Sequence, residues 1–146
     1  MKLLLDTHIF LWFITNDNRL ADKYYDAISN LDNEIYLSVV SVWEAMIKYQ
    51  LGKLPLPESP DIYFPKQREN HLIYSLAIDE STITQLAKLP AASSACSCPE
   101  GLGTLQTPPL HRDPFDRLLL CQCLQHDLIM ITEDRAILSY PMINFF

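Results

Sequence analysis

The stretch KLLLDTHIFLWFIT, from Lys2 to Thr15, decides the fold. Leu3, Leu4 and Leu5 are apolar without alternation, as a strand reads when both faces of its sheet are covered. Thr7 to Thr15 continues apolar at helical length, so a helix follows the strand with almost no connection. Asp6 stands at the junction. A carboxylate there either caps the helix or lies at the carboxyl edge of a sheet, where open α/β folds bind their ligands.

The same alternation continues outward. RLADKYYDAISNL predicts a helix with Leu20, Tyr24, Ala27 and Leu31 on one stripe, and EIYLSV a second strand. VVSVWEAMIKYQLG predicts a helix that Gly52 stops in the usual C-terminal position. DIYFPKQRENH reads as a helix start or turn interrupted by Pro65, LIYSLAI as a third strand, and DESTITQLAKL as a helix opened by Asp79 or Ser81. DPFDRLLLCQCL gives a further helix with Asp113 as N-cap and Pro114 at its first position. LIMIT follows as a fourth strand, DRAILSY as a short helix and MINFF as a fifth strand at the edge. Strands that alternate with helices imply a central, mainly parallel sheet of four to five strands between helical layers. One segment departs from this rhythm. PAASSACSCPEGLGTLQTPP, Pro90 to Pro109, is small and polar and holds two of the chain's three glycines. It predicts an exposed, mobile loop inserted at about residues 91–109 of a single domain spanning 1–146.

Hydrophobic residues make up 49% of the 146 and charged residues 20%, which fits a globular chain and excludes a disordered one. The apolar start is interrupted by Asp6 and His8, is too short for a membrane span and carries no small-residue cleavage site, so a cytoplasmic protein is expected. A net charge of -7 excludes general attraction to nucleic acid, so any phosphate chemistry must recruit cations or a local basic strip. Four cysteines form two C-x-C pairs, expected as free thiols. Cys121 and Cys123 lie about 200° apart around a helix and cannot easily share a zinc ion.

The informative residues are acids in places where acids are unexpected. On a helical wheel Glu44 falls within the apolar stripe of Val40, Ile47 and Leu51. Asp116 extends the stripe of Leu119, Leu120 and Cys123 backwards by one turn, and Asp113 lies on nearly the same face. Asp6 closes the first strand, and Asp134 follows LIMITE two residues after Thr132. Each acid alone has a local use, as a cap or as the partner of a basic side chain or backbone amide. Gathered at one edge they would repel one another unless a cation neutralised them, and oxygen ligands suit a hard divalent ion. Such ions polarise phosphoryl oxygens and activate water, which points to phosphodiester hydrolysis. Lys48, beside Glu44, can pair with an acid or meet a phosphate, and Arg117 can meet RNA or a neighbouring acid. His111 and Arg112 are open to phosphate contact or to a solvated capping role. Trp12, Trp43 and Phe115 are expected in the core rather than as base-stacking platforms.

The set LLDTH, LSVVSVWEAMIK, HRDPFDRLLL and LIMITED resembles the PIN-domain ribonucleases, in particular the toxin subunits of VapBC-type toxin–antitoxin pairs. The resemblance covers nearly the whole chain in the expected order, and DPFDR with SVWE upstream and T-x-D downstream is its most specific part. It implies a PIN-like three-layer α/β/α fold, with Asp6, Glu44, Asp116 and Asp134 as metal-binding and catalytic acids. Asp113 is implied as a supporting acid and Thr132 as an assisting hydroxyl. The implied activity is Mg²⁺- or Mn²⁺-dependent endonucleolytic cleavage of RNA by a homodimer that a small antitoxin blocks. The segment at 91–109 departs from the family pattern, in which LAKLP runs almost directly into LHRDPFDR. It keeps a second reading open, a PIN-like module that binds RNA or protein without cleaving. A phosphoacceptor domain also gathers acids at strand ends, but it requires a lysine closing a later strand, and no such lysine is found.

Overall fold

The computed structural model describes residues 1–90 and 113–146. The loop expected at 91–109, with Cys96 and Cys98, lies outside the described residues, as do His111 and Arg112.

Five parallel strands form the sheet: β1 (Lys2–Leu5), β2 (Glu34–Ser38), β3 (Tyr74–Leu76), β4 (Ile129–Ile131) and β5 (Asn144–Phe145), in the order β3-β2-β1-β4-β5. The helices are α1 (Thr7–Ile14), α2 (Asp22–Ser29), α3 (Val39–Gln50), α4 (Pro60–Asn70), α5 (Glu80–Thr84) and α6 (Pro114–His126). β1 is central, and its leucines divide between two cores. Leu3 and Leu5 face α1, α2 and α4, packing with Ile9, Phe10, Ile35, Leu37, Phe64 and Ile131. Leu4 faces α6, packing with Leu119, Leu120, Cys123, Met130 and Tyr140. This coverage on both sides is the physical reason for the unalternating LLL. The three-layer architecture expected from the sequence is the one observed.

The chain runs from β1 outward to β2 and β3, then returns across β1 to β4 and β5. The order therefore reverses between β1 and β4, and at such a switch point the carboxyl ends of the two strands open a crevice. α3 follows β2 without a connection, its first turn fixed by the Ser38 hydroxyl accepting from the Val40 amide at 3.0 Å. Val40 packs into one core and Ala45 into the other, so α3 sits where the cores meet. Gly52 ends it at φ 68°, with the Gly52 amide donating to the Tyr49 carbonyl (3.0 Å) and Lys53 to Lys48 (2.8 Å).

Several expectations need correction. Pro65 does not interrupt its segment: α4 is continuous from Pro60 to Asn70, and the missing N–H would have served Asp61, an exposed residue in the first turn. LIYSLAI supplies only three strand residues, because β3 is an edge strand with Tyr74 and Ser75 exposed. DESTITQLAKL splits into α5, capped by Asp79, and a 3-10 turn over Gln85–Lys88, while DRAILSY forms a 3-10 turn over Ile137–Ser139. Leu31 (87% exposed) and Leu51 (62%) lie past the ends of their helices and leave the stripes assigned to them. Trp43, for which a core position is expected, is 53% exposed, with its ring edge-on to Phe115 at 4.9 Å.

Candidate active site

The switch point places Asp6 beside Thr132. Leu5 pairs with Ile131 in register, and the Asp6 amide donates to the Ile131 carbonyl at 3.1 Å. One step further, the Thr132 hydroxyl donates to Asp6 Oδ2 at 2.9 Å. Both residues are buried, as is Thr7. Burial pushes the Asp6 carboxyl above its ordinary value and the nearby charge of Glu44 adds to this, against the Thr132 hydrogen bond and His8. Asp6 also occupies the N-cap position of α1, but its side chain makes no capping hydrogen bond. Of the two uses open to it in the sequence, local capping is therefore not the one its carboxylate serves.

Glu44 is buried on α3, as its place in the apolar stripe implies. Its partners answer the need for compensation. Lys48 Nζ lies 2.5 Å from Oε1, one helical turn on, and the Thr7 hydroxyl donates to Oε2 at 2.7 Å. Thr7 escapes the sequence reading, although a hydroxyl directly after Asp6 at the start of a buried helix needs an acceptor and was the signal available. Asp116 is buried on α6 beside the layer formed by Leu119, Leu120 and Cys123. Asp113 caps that helix, its carboxylate accepting from the Phe115 amide at 2.9 Å, with Pro114 at the first position as expected. The Trp43–Phe115 contact joins the residues that precede Glu44 and Asp116, so the two acids come from adjoining helices.

Asp134 is placed differently from the other acids. It is exposed, its carboxylate accepts from the Ala136 amide at 2.8 Å, and its own amide donates to the Thr132 hydroxyl at 3.1 Å. With Asp6, His8, Ile9, Trp12 and Glu133 it lines a cavity of about 260 Å³. His8, Trp12 and Glu133 are thus neighbours of the site that the sequence reading does not place there. The Arg117 guanidinium donates to the Pro90 carbonyl at 2.9 Å.

The divalent ion implied by the family resemblance matches these residues in kind. The donors are hard carboxylate oxygens, and Asp6 and Glu44 are like charges buried near each other, an arrangement that a cation relieves. Among the described residues, however, no three His, Cys, Asp or Glu side chains stand close enough to hold one ion. Glu44 is turned to Lys48 and Thr7, and Asp134 to its own loop.

Cys121 and Cys123 are buried free thiols. Burial pushes Cys121 up to about 11 and Cys123 higher still. At pH 7.5 a thiol reagent is expected to leave both unmodified in the native protein and to reach them only after denaturation, as peptide mass spectrometry would show; labelling of either in folded protein contradicts this packing.

A parallel sheet with buried acids at its switch point is the framework on which the comparisons with known proteins converge. The PIN domain model matches residues 3–141, and the chain belongs to the PIN-domain family. Among characterised proteins it is similar to Ribonuclease VapC16 of Mycobacterium tuberculosis, 33% identical over 85 residues. That match takes in 58% of this chain and spans 60% of the length of the relative. Among solved structures the fold is shared with VapBC2 from Rickettsia felis bound to a DNA fragment from their promoter, with a TM-score of 0.65 and 17% identity over 100% of this chain and 98% of that one. It is shared also with VapBC-1 from nontypeable Haemophilus influenzae, at 0.60 and 13% over 100% and 97%. Among the described residues no helix is long and apolar enough to cross a membrane.

Proposed function

We propose that this protein is a divalent-metal-dependent endoribonuclease that hydrolyses RNA phosphodiester bonds as the toxin of a VapBC-type pair. The observation that carries the reading is Asp6, buried at the switch point against Thr132 and near Glu44, with Asp116 buried on the adjoining helix. The similarity to a VapC ribonuclease supports the activity, and the fold shared with VapBC complexes supports a small antitoxin as partner. On this reading the protein acts in the cytoplasm as a homodimer.

Asp6, Glu44, Asp116 and Asp134 are the residues that would hold Mg²⁺ or Mn²⁺. When bound, such an ion supplies charge stabilisation at the phosphoryl oxygens and a water of lowered pKa. The remaining work belongs to the chain. Thr132 fixes the rotamer of Asp6 and the start of the Asp134 loop through one hydroxyl. Asp113 sets the first turn of α6 and thereby the direction of Asp116. His8, on the wall of the cavity, is placed to meet a phosphate that enters it.

Purified protein is expected to cut single-stranded RNA with Mg²⁺ or Mn²⁺ and to lose all cleavage in EDTA, regaining it on metal readdition. Full cleavage in EDTA would remove the metal from the mechanism. Folded protein inert with both ions would instead identify a non-catalytic binding module. Expression in bacteria should arrest growth, with relief by co-expression of a small protein encoded beside it.

A further inference from the structure

The Lys48–Glu44 ion pair stands at the acid edge, and the proposed hydrolysis does not use it. Glu44 is 7% exposed and Lys48 36%, and their contact is 2.5 Å. They are one turn apart on α3, so the lysine cannot drift away from the acid as a partner on a mobile loop could. The second oxygen of Glu44 is taken by Thr7 at 2.7 Å. Both oxygens of a candidate metal ligand are therefore engaged by the protein itself. Among the described residues Asp6, close enough for its charge to be felt at Glu44, forms no salt bridge with a lysine or arginine.

We propose that Lys48 is a tethered counter-cation that holds Glu44 away from metal coordination in the metal-free protein and so sets how tightly the acid edge binds a divalent ion. Lys48 is a positioning residue: it acts through Glu44. The lysine offsets one of the negative charges buried at the edge, which keeps the empty site folded. It also subtracts from the field that would attract a cation, and Glu44 Oε1 would have to leave the ammonium before it could serve as a ligand. Once displaced, the ammonium would stay within one helical turn of Glu44.

The inference rests on reading the acids as a cation site, and Mn²⁺ titration by calorimetry separates the two. In Lys48→Met, Mn²⁺ should bind about tenfold tighter than in the wild type, while the melting temperature without metal falls. Lys48→Arg, which keeps the charge, should stay within about threefold of wild-type affinity. A merely structural lysine would lower the melting temperature without tightening the ion. Wild-type protein that binds Mn²⁺ while Lys48→Met binds it equally or more weakly overturns the role of Lys48 alone. Wild-type protein that binds no Mn²⁺ overturns the metal reading as well. If Lys48→Met does not fold, the double variant Lys48→Met/Glu44→Gln should, since the uncompensated buried charge is then gone; an unfolded double variant overturns the proposal.

Discussion

Asp6→Asn is expected to abolish RNA cleavage and to leave the metal-free protein at least as stable as the wild type at neutral pH. The loss follows from removing a buried anionic oxygen from the proposed ion site, a change worth on the order of 10³-fold or more in rate. The stability follows from the sign of the shift. Burial raises the folded-state value of Asp6 above 3.8, its ordinary value. Below 3.8 the group is protonated in folded and unfolded chains alike, so it imposes no penalty on folding. As pH rises through the folded value, the buried carboxyl must ionise at a cost, and this part of the stability is lost. Asparagine never ionises and still accepts a hydrogen bond from Thr132. Thermal melts in EDTA should therefore show variant and wild type close together in acid, with the variant rising relative to the wild type towards pH 8. A variant that is inactive and melts far below the wild type at pH 8 would mean that Asp6 serves the fold rather than the chemistry.

Phe10→Ala is expected to cost about 3–5 kcal/mol, the largest loss of stability from any single truncation discussed for this protein. Phe10 is fully buried and packs on Phe64 with ring centroids 5.0 Å apart, so one ring holds α1 to α4 across the core beneath the sheet. At roughly 2–4 °C per kcal/mol the melting temperature should drop by about 10 °C. Activity should fall too, because α1 carries Thr7, which donates to Glu44. Leu31→Ala makes the matched control. Leu31 is 87% exposed, and the change should stay within about 0.5 kcal/mol. Urea titration of both variants measures the contrast, and comparable losses would contradict the core described above.

The features legible in the sequence are those that periodicity and burial write directly into it. A fully apolar LLL announces a strand covered on both faces, and a glutamate inside an apolar stripe announces a buried acid that needs partners. Asp113 as a cap and Asp116 as an inward acid follow from spacing alone. The order of strands does not, because nothing local says that β4 rather than β3 lies beside β1, and it is this choice that brings Thr132 to Asp6. Trp43 misleads for a related reason: a large ring next to a buried acid reads as core, yet position 43 turns outward at the seam between α3 and α6. Asp134 lies at the expected strand end, but its side chain is spent on the Ala136 amide. Whether a side chain at a correct address turns towards the shared edge depends on loop geometry that single-residue spacing does not encode.

The central position of β1 has a consequence during synthesis. One of its edges is matched by β2 soon after the ribosome makes it, whereas the other waits for β4, more than a hundred residues later. Until then Asp6 has no Thr132 beside it, and Asp116 and Asp134 do not yet exist. On the proposed ribonuclease reading, a chain made only as far as α5 could not cut the messenger from which it is being read. On that reading, the capacity to cut RNA would arise only once β4 has joined β1.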